Sequence, residues 1–324
     1  SHPAKSCIVL IKKRRQTPAH RILRPARDSL HRTAATLWAE LMSNLADILR
    51  ETATRLAVVS TTPRLDAELL AAHALGLERS AMLLRLTDLE TPPGLADMTE
   101  RRLRNEPVAY ITGRQAFWDL HLVVTPDVLI PRADSETLID VAVEYFQIGP
   151  ARILDLGTGS GALLLACLSA FPEARGVGMD ASAAALAVAQ ANAARLGFDP
   201  RSQWLHRSWA DPNWHSDLGR FDLIISNPPY VEADAALDAM VAAYEPHSAL
   251  FAGPDGLDDY RILIPHLPSL LSPGGIAIFE IGHSQTEAVS DLASNAGLST
   301  EMRRDLAGKP RALRFSLGIS DMNG

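Results

Sequence analysis

Cysteine is nearly missing from this chain: there are two in 324 residues, Cys7 and Cys167, far apart and in unlike contexts. Two such residues build neither a disulfide framework nor a metal cluster, and the usage fits a reducing compartment, the cytoplasm. Cys167 falls in an apolar helical pattern and reads as a small core residue. Long apolar runs are missing too. No stretch approaches the ~20 residues of a membrane span. Ile8-Val9-Leu10-Ile11 is too short for a signal-peptide core and runs straight into Lys12-Lys13-Arg14-Arg15. No membrane contact is therefore expected. Positive charge is scarce beyond the first segment. Residues 1–41 hold nine Lys/Arg against two acids, so the remaining chain carries a net −14 within a total of −7. A body that acidic is a poor general binder of nucleic-acid backbone, and no direct nucleic-acid binding is expected.

What is present is a globular composition, 47% apolar and 21% charged, with enough length for two domains. Residues 1–41 are basic, contain three prolines and lack a sustained period. They stand as a disordered extension, an arginine-rich targeting peptide, or sequence upstream of a natural start at Met42; the first and last are favoured. Residues 42–106 read as a small helical domain. Leu45, Ile48, Leu49 and Leu56 form one stripe. Thr62-Pro63 opens a second helix that Gly76 would stop, and 79–86 and 93–104 give two short ones. The domain carries no chemical motif and is either a packing module or a substrate-docking module. Residues 107–131 read as a hairpin linker, with strands at 108–111 and 120–124 around Gly113. Asp134 or Ser135 would then cap a helix running to Tyr145, with Glu136 in its first turn.

From 151 strands and helices alternate, the pattern of a doubly wound parallel sheet. Strands are expected at 152–156, 174–179, 203–207, 221–226 and 275–281, with helices at 162–170, 182–196, 257–271 and 284–296. Two last strands, near 299–304 and 311–317, make an apparent hairpin. That ending is characteristic of methyltransferases rather than dinucleotide dehydrogenases.

Two stretches carry the chemistry. Asn227-Pro228-Pro229-Tyr230 follows the apolar run 221–226. Neither proline can donate to a ladder, so the strand must stop at Asn227. Free carbonyls, a side-chain amide and a flat ring suit a planar NH2 group, such as an amide or an adenine edge. A strand-ending turn with a packed tyrosine is the plain alternative. The second stretch is Asp155-Leu156-Gly157-Thr158-Gly159-Ser160-Gly161, between a strand and a helix. With Ala162 it satisfies the relaxed dinucleotide fingerprint. Asp180 ends the next strand, where an acid accepts from ribose hydroxyls; capping the helix near Ser182 is its alternative role. Asp155 suits the cationic sulfonium and amino group of S-adenosylmethionine and would repel a pyrophosphate. Ligands of open α/β sheets sit at the carboxyl ends of the strands, so Asn227 would share a crevice with Gly157 and Asp180.

These residues resemble the HemK/PrmC family of protein-(glutamine-N5) methyltransferases, which modify peptide-chain release factors. The likeness spans about 42–317. It rests on Glu106 through Gly113, Leu129-Ile130-Pro131-Arg132-Ala133-Asp134-Ser135-Glu136 (with Ser135 where threonine is usual), Asp155 through Leu163, and Ser226 through Val231. Tyr244-Glu245-Pro246, Ala249-Leu250, Gly253-Pro254-Asp255-Gly256-Leu257 and Glu280-Ile281-Gly282-His283 complete it. The resemblance implies a class I S-adenosylmethionine-dependent methyltransferase. Its fold would be α/β, a doubly wound, mostly parallel seven-stranded sheet at 132–324, behind a helical substrate-docking domain and a β-hairpin linker. It implies S-adenosylmethionine on Gly157, Thr158, Gly159, Ser160, Gly161, Asp180, Trp209 and Asn227. Asn227, Pro228, Pro229 and Tyr230 would hold the glutamine, with Asn227, Pro228 and Tyr230 catalytic. Trp209 would wall the adenine, although 207–211 departs from the usual pattern and ordinary packing stays open. Glu245 and Glu280 would line the site or serve as buried hydrogen-bonding groups. His247 and His283 read as structural, since no cysteine or carboxylate accompanies them at ligand spacing, and no metal is expected. The expected protein is a cytoplasmic monomer with a release factor as substrate. Competing functions are a glutamine methyltransferase for a ribosomal protein, an adenine-N6 nucleic-acid methyltransferase, a dehydrogenase and a non-catalytic cofactor-binding regulator.

Overall fold

The structure, a computed structural model, describes residues 44–318. The readings of the basic extension and of a start at Met42 lie outside the described residues. Helix α1 (Leu45–Leu56) is capped by Asn44, whose side chain accepts from the Asp47 amide, and its stripe puts Leu45, Leu49 and Leu56 fully inside. α2 (Pro63–Leu75) opens on its proline and stops at Gly76, which takes φ 64°. With α3 (Arg79–Leu83) and α4 (Leu95–Leu103) they enclose a small core around Leu70, Met82 and Leu95.

The segment 108–111, expected as a strand, is helical: α5 (Val108–Thr112) follows Pro107 and ends at Gly113, φ 67°. Its burial shows why. Val108 and Ile111, three apart, pack into the helical core, while Ala109 and Tyr110 pack with Val124, Val128 and Ile130. Neighbours three apart share a face only in a helix; a strand would have put 109 and 111 together. The Tyr110 hydroxyl donates to the Val128 carbonyl at 2.7 Å. The hairpin is therefore shorter and later than expected, β1 (Arg114–Phe117) against β2 (Leu120–Val123), turning at Trp118-Asp119. The following helix, α6 (Glu136–Tyr145), has no side-chain cap from Asp134 or Ser135, because residues Ala133–Ser135 form a 3₁₀ turn and the Ser135 hydroxyl is engaged elsewhere.

Next come β3 (Arg152–Leu156), α7 (Ala162–Ala170), β4 (Arg175–Asp180), α8 (Ala183–Leu196), β5 (Ser202–His206) and β6 (Phe221–Ser226). They are followed by α9 (Ala239–Tyr244), α10 (Asp258–Leu263), α11 (Leu267–Leu270), β7 (Leu271–Glu280), α12 (Thr286–Asn295), β8 (Leu298–Arg304) and β9 (Pro310–Leu317). The single helix expected at 257–271 is broken, since Pro265 and Pro268 each remove a donor. Strand β7 begins earlier than expected. Phe221 pairs with Leu271, and the register then shifts so that Leu223 meets Ile276, a bulge that absorbs Pro273-Gly274-Gly275.

The seven strands order as β5-β4-β3-β6-β7-β9-β8, with β3 to β7 parallel and β9 antiparallel to both neighbours. Side chains alternate between two cores. Ile153, Leu223, Ile225, Ile276 and Ile278 face α6 and α7, whereas Leu154, Ile224, Ala277 and Phe279 face α10 to α12. Burial on both faces explains why these strands are nearly continuous apolar runs. No helix among the described residues is long and apolar enough to cross a membrane.

Candidate active site

Strand order reverses between β3 and β6, and ligands of such sheets sit outside the strand ends at that point. The two ends are tied together there: the buried Ser226 hydroxyl donates to the Leu156 carbonyl at 2.7 Å. Beyond β3 the chain makes its glycine loop, with φ of 74°, 54° and 82° at Gly157, Gly159 and Gly161. Only glycine takes such values freely. The Gly157 and Thr158 amides both donate to the Met179 carbonyl, at 2.9 and 3.0 Å.

Asp180 fixes the loop from β4. Its Oδ2 accepts from the Gly159 amide at 2.9 Å and its Oδ1 from the Ser182 amide at 2.8 Å. The cap of α8 is Ser182 itself, whose hydroxyl accepts from the Ala185 amide. A carboxylate offers about four acceptor positions, so Asp180 keeps two for a ligand. Asp155 behaves differently from expectation. It is fully buried and does not line the cavity. The Thr158 hydroxyl donates to its Oδ2 at 2.6 Å, and its Oδ1 has no hydrogen-bond partner. Burial pushes its carboxyl up to about 7, against the pull of Thr158.

A cavity of about 520 Å³ opens over this loop, within the range of small-molecule sites. Gly157 to Ser160, Asp180, Trp209, Asn227 and Pro229 line it, together with Val128 and Leu129. The ring of Trp209 lies against Gly157, and its Nε1 donates to Asp259 Oδ1 at 2.6 Å. Burial holds the Asp259 carboxyl above its ordinary range, with Trp209 drawing it back.

The structure thus brings most of the expected site residues to one cavity. Gly161, Pro228 and Tyr230 are not in its lining. Gly161 starts α7, and Pro228 is buried. Tyr230 packs against the core, and its hydroxyl donates to Glu280 Oε1 at 3.1 Å. Its carbonyl accepts from Gln285 Nε2 at 3.0 Å. The two glutamates are buried acceptors and neither lines the cavity. Glu245 accepts from the Ile130 amide at 3.2 Å and from Arg132, which clamps the segment that carries the lining residues Leu129 and Pro131. Glu280 accepts from Ser135 and Tyr230, with Arg311 Nη1 at 3.8 Å. Burial raises its carboxyl, partly offset by Ser135 and Arg311. Asn227 Nδ2 meets Ser135 Oγ at 3.4 Å.

Sequence reasoning missed Asp259, Gln285 and the part played by Ser135. Asp259, in the first turn of α10, reads as an ordinary helix-opening acid, and nothing in its spacing points to Trp209. Ser135 read as a cap because a serine before a helix usually is one.

The cavity supplies a polar loop, a ribose-type acceptor, an aromatic wall and a strand-end amide, a set suited to a nucleoside-bearing ligand beside a planar amide. Comparison with known proteins points the same way. The chain matches the family model of the PrmC N-terminal domain over residues 47–113 and that of the methyltransferase small domain over 135–247. It is 43% identical over 257 residues to a release factor glutamine methyltransferase of Rhodospirillum rubrum, covering 78% of each chain. Relatives with the same description come from Caulobacter vibrioides, 41% identical over 80% of this chain and 90% of that one, and Cereibacter sphaeroides, 41% identical over 84% and 98%.

Proposed function

The chain belongs to the family of release factor glutamine methyltransferases, and on that premise we propose that it transfers a methyl group from S-adenosylmethionine to the side-chain amide nitrogen (N5) of the Gly-Gly-Gln glutamine in a peptide-chain release factor. The observation that carries this reading is that Asn227, closing β6, lines the same cavity as the Gly157–Ser160 loop, Asp180 and Trp209. The residues fit the cofactor. Gly157 leaves the cavity floor free of a Cβ, Asp180 has acceptor positions to spare for ribose hydroxyls, and Trp209 offers an apolar wall to an adenine ring. The bound cofactor supplies a methyl group made electrophilic by its sulfonium.

The chain's task is to present a weak nucleophile. An amide nitrogen has a delocalised lone pair, so catalysis here is positioning and electrostatics. Asn227 accepts one N–H of the substrate amide through its side-chain oxygen. The Pro228 carbonyl lies outside the cavity lining and accepts no hydrogen bond among the described residues; in this reading the seated amide reaches it with its other N–H. Pro229 stiffens the turn, and Tyr230 anchors it through Glu280 and Gln285. No strong base is needed beforehand, because the nitrogen, made acidic by methylation, gives up its proton to water as the product forms. The cytoplasm is the fitting compartment for a translation factor as substrate.

Incubation with labelled S-adenosylmethionine and a release factor, followed by mass mapping, tests this. Label is expected on the Gly-Gly-Gln glutamine; label only in nucleic acid or in a ribosomal protein would refute it. Asn227→Ala is expected to abolish transfer while S-adenosylhomocysteine binding stays within about threefold, because the loop, Asp180 and Trp209 carry the cofactor.

A further inference from the structure

We propose that Glu280 and Ser135 are positioning residues that fix which end of the Asn227 side-chain amide faces the substrate. The inference rests on the glutamine-transfer reading above. Glu280 lies at the end of β7, beside the end of β6, and is 1% exposed. An ionised carboxylate can only accept hydrogen bonds. Its neighbours must therefore donate, and Ser135 and Tyr230 both do. A serine hydroxyl has one proton. Once it points at Glu280, Ser135 Oγ can act only as an acceptor toward Asn227. The 3.4 Å contact from Asn227 Nδ2 fits that role. The amide's NH2 is thereby committed to Ser135, which lines the same cavity, and its Oδ1 is left for the substrate.

The direction of this chain matters because the substrate amide nitrogen brings only donors. A reversed Asn227 would set its oxygen against a serine oxygen with no proton between them, and would meet the substrate N–H groups with N–H groups. The same polarity rejects glutamate, whose carboxylate oxygens would face Oδ1 and the Pro228 carbonyl with nothing to donate. Discrimination by an unpaired polar group is the strong kind. The negative charge of Glu280 is held by Arg311 of β9, itself paired with Asp134 Oδ2 at 3.0 Å and Asp305 Oδ2 at 3.2 Å. Around Glu280 the facing charged and titratable groups are thus Arg311, Asp134, Tyr230 and Tyr260, whose hydroxyl donates to the Glu280 carbonyl at 2.7 Å. Protonating Glu280 would let it donate to Ser135, and the chain could then reverse. Transfer should fall on the acid side, at a pH above the ordinary carboxylate range.

The test uses the full chain, S-adenosylmethionine and a release factor, with Ser135→Ala, Ser135→Thr and Glu280→Gln. Steady-state rates, S-adenosylhomocysteine affinity and melting temperature are recorded for each. Ser135→Ala is expected to lower kcat by about tenfold or more, with cofactor affinity within about twofold, and Ser135→Thr to restore it. A release factor with glutamate in place of the target glutamine should inhibit wild type weakly and Ser135→Ala relatively better. Glu280→Gln should lose the acid limb of the pH profile. Wild-type kcat and undiminished glutamate discrimination in Ser135→Ala would overturn the inference while leaving the glutamine-transfer reading intact. No transfer by wild type to any release factor would remove that reading and this inference together.

Discussion

Trp209 lies so close over Gly157 that a Cβ on the glycine would stand 3.0 Å from the indole ring. Gly157 also holds φ 74°, a value a side chain resists. Gly157→Ala is therefore expected to push the ring away and strain the loop, weakening S-adenosylhomocysteine binding by about tenfold or more, or about 1.4 kcal/mol. Titration calorimetry measures this directly. Unchanged affinity would mean that Trp209 is ordinary packing, the alternative the sequence left open.

Gly256 stands in a comparable relation to the Asn227–Tyr230 turn. A Cβ there would meet the Tyr230 carbonyl oxygen at 2.3 Å, and the residue holds φ 70°. The displaced group would be backbone directly following Pro229. Gly256→Ala is expected to cut kcat by about tenfold or more with little change in cofactor affinity, since the glycine loop is untouched. Equal losses in both would point to general unfolding instead.

Asp155 makes stability depend on pH. Its carboxyl is pushed up to about 7 by burial, against an ordinary value of 3.8. Between those values the folded state binds the extra proton, so stability falls as pH rises through the window and the full cost is borne above it. Asp155→Asn removes the titration. The amide itself carries a constant cost, because Oδ1 has no partner where an NH2 would sit. The difference between variant and wild type should still move in the variant's favour from pH 4 to pH 8, by up to about 4 kcal/mol. Denaturant unfolding at the two pH values checks it, and parallel curves would contradict the burial argument.

How far the sequence carried can be read from individual residues. The parallel strands were legible because burial on both faces leaves Phe221 to Ile225 almost wholly apolar, a pattern with few other causes. The placement of Gly157, Asp180 and Asn227 at strand ends around one cavity was legible because each lies within a few residues of punctuation that forces the chain to turn. Segment 108–111 was not, since β-branching favours a strand until the burial on two opposite sides is known. The helix at 257–271 was overextended because its apolar spacing outweighed Pro265 and Pro268. The partners of the buried acids were invisible for a plainer reason. Ser135 and Glu280 are 145 residues apart, and Ile130 and Glu245 are 115 apart. No local pattern encodes such a pairing; it exists only once the sheet has brought the ends of β6 and β7 together.

Helix α5 has one side in the helical core and the other against Val124, Val128 and Ile130, the last two of which belong to the segment beside the cavity. A rod shared by two cores cannot loosen in one without exposing apolar surface in the other. The helical region and the sheet, which form one compact unit among the described residues, are therefore expected to unfold together. Heating should melt them in a single calorimetric transition. A lesion at Leu49, far from the chemistry, then lowers the same melting temperature as one at Ile225 under the active site.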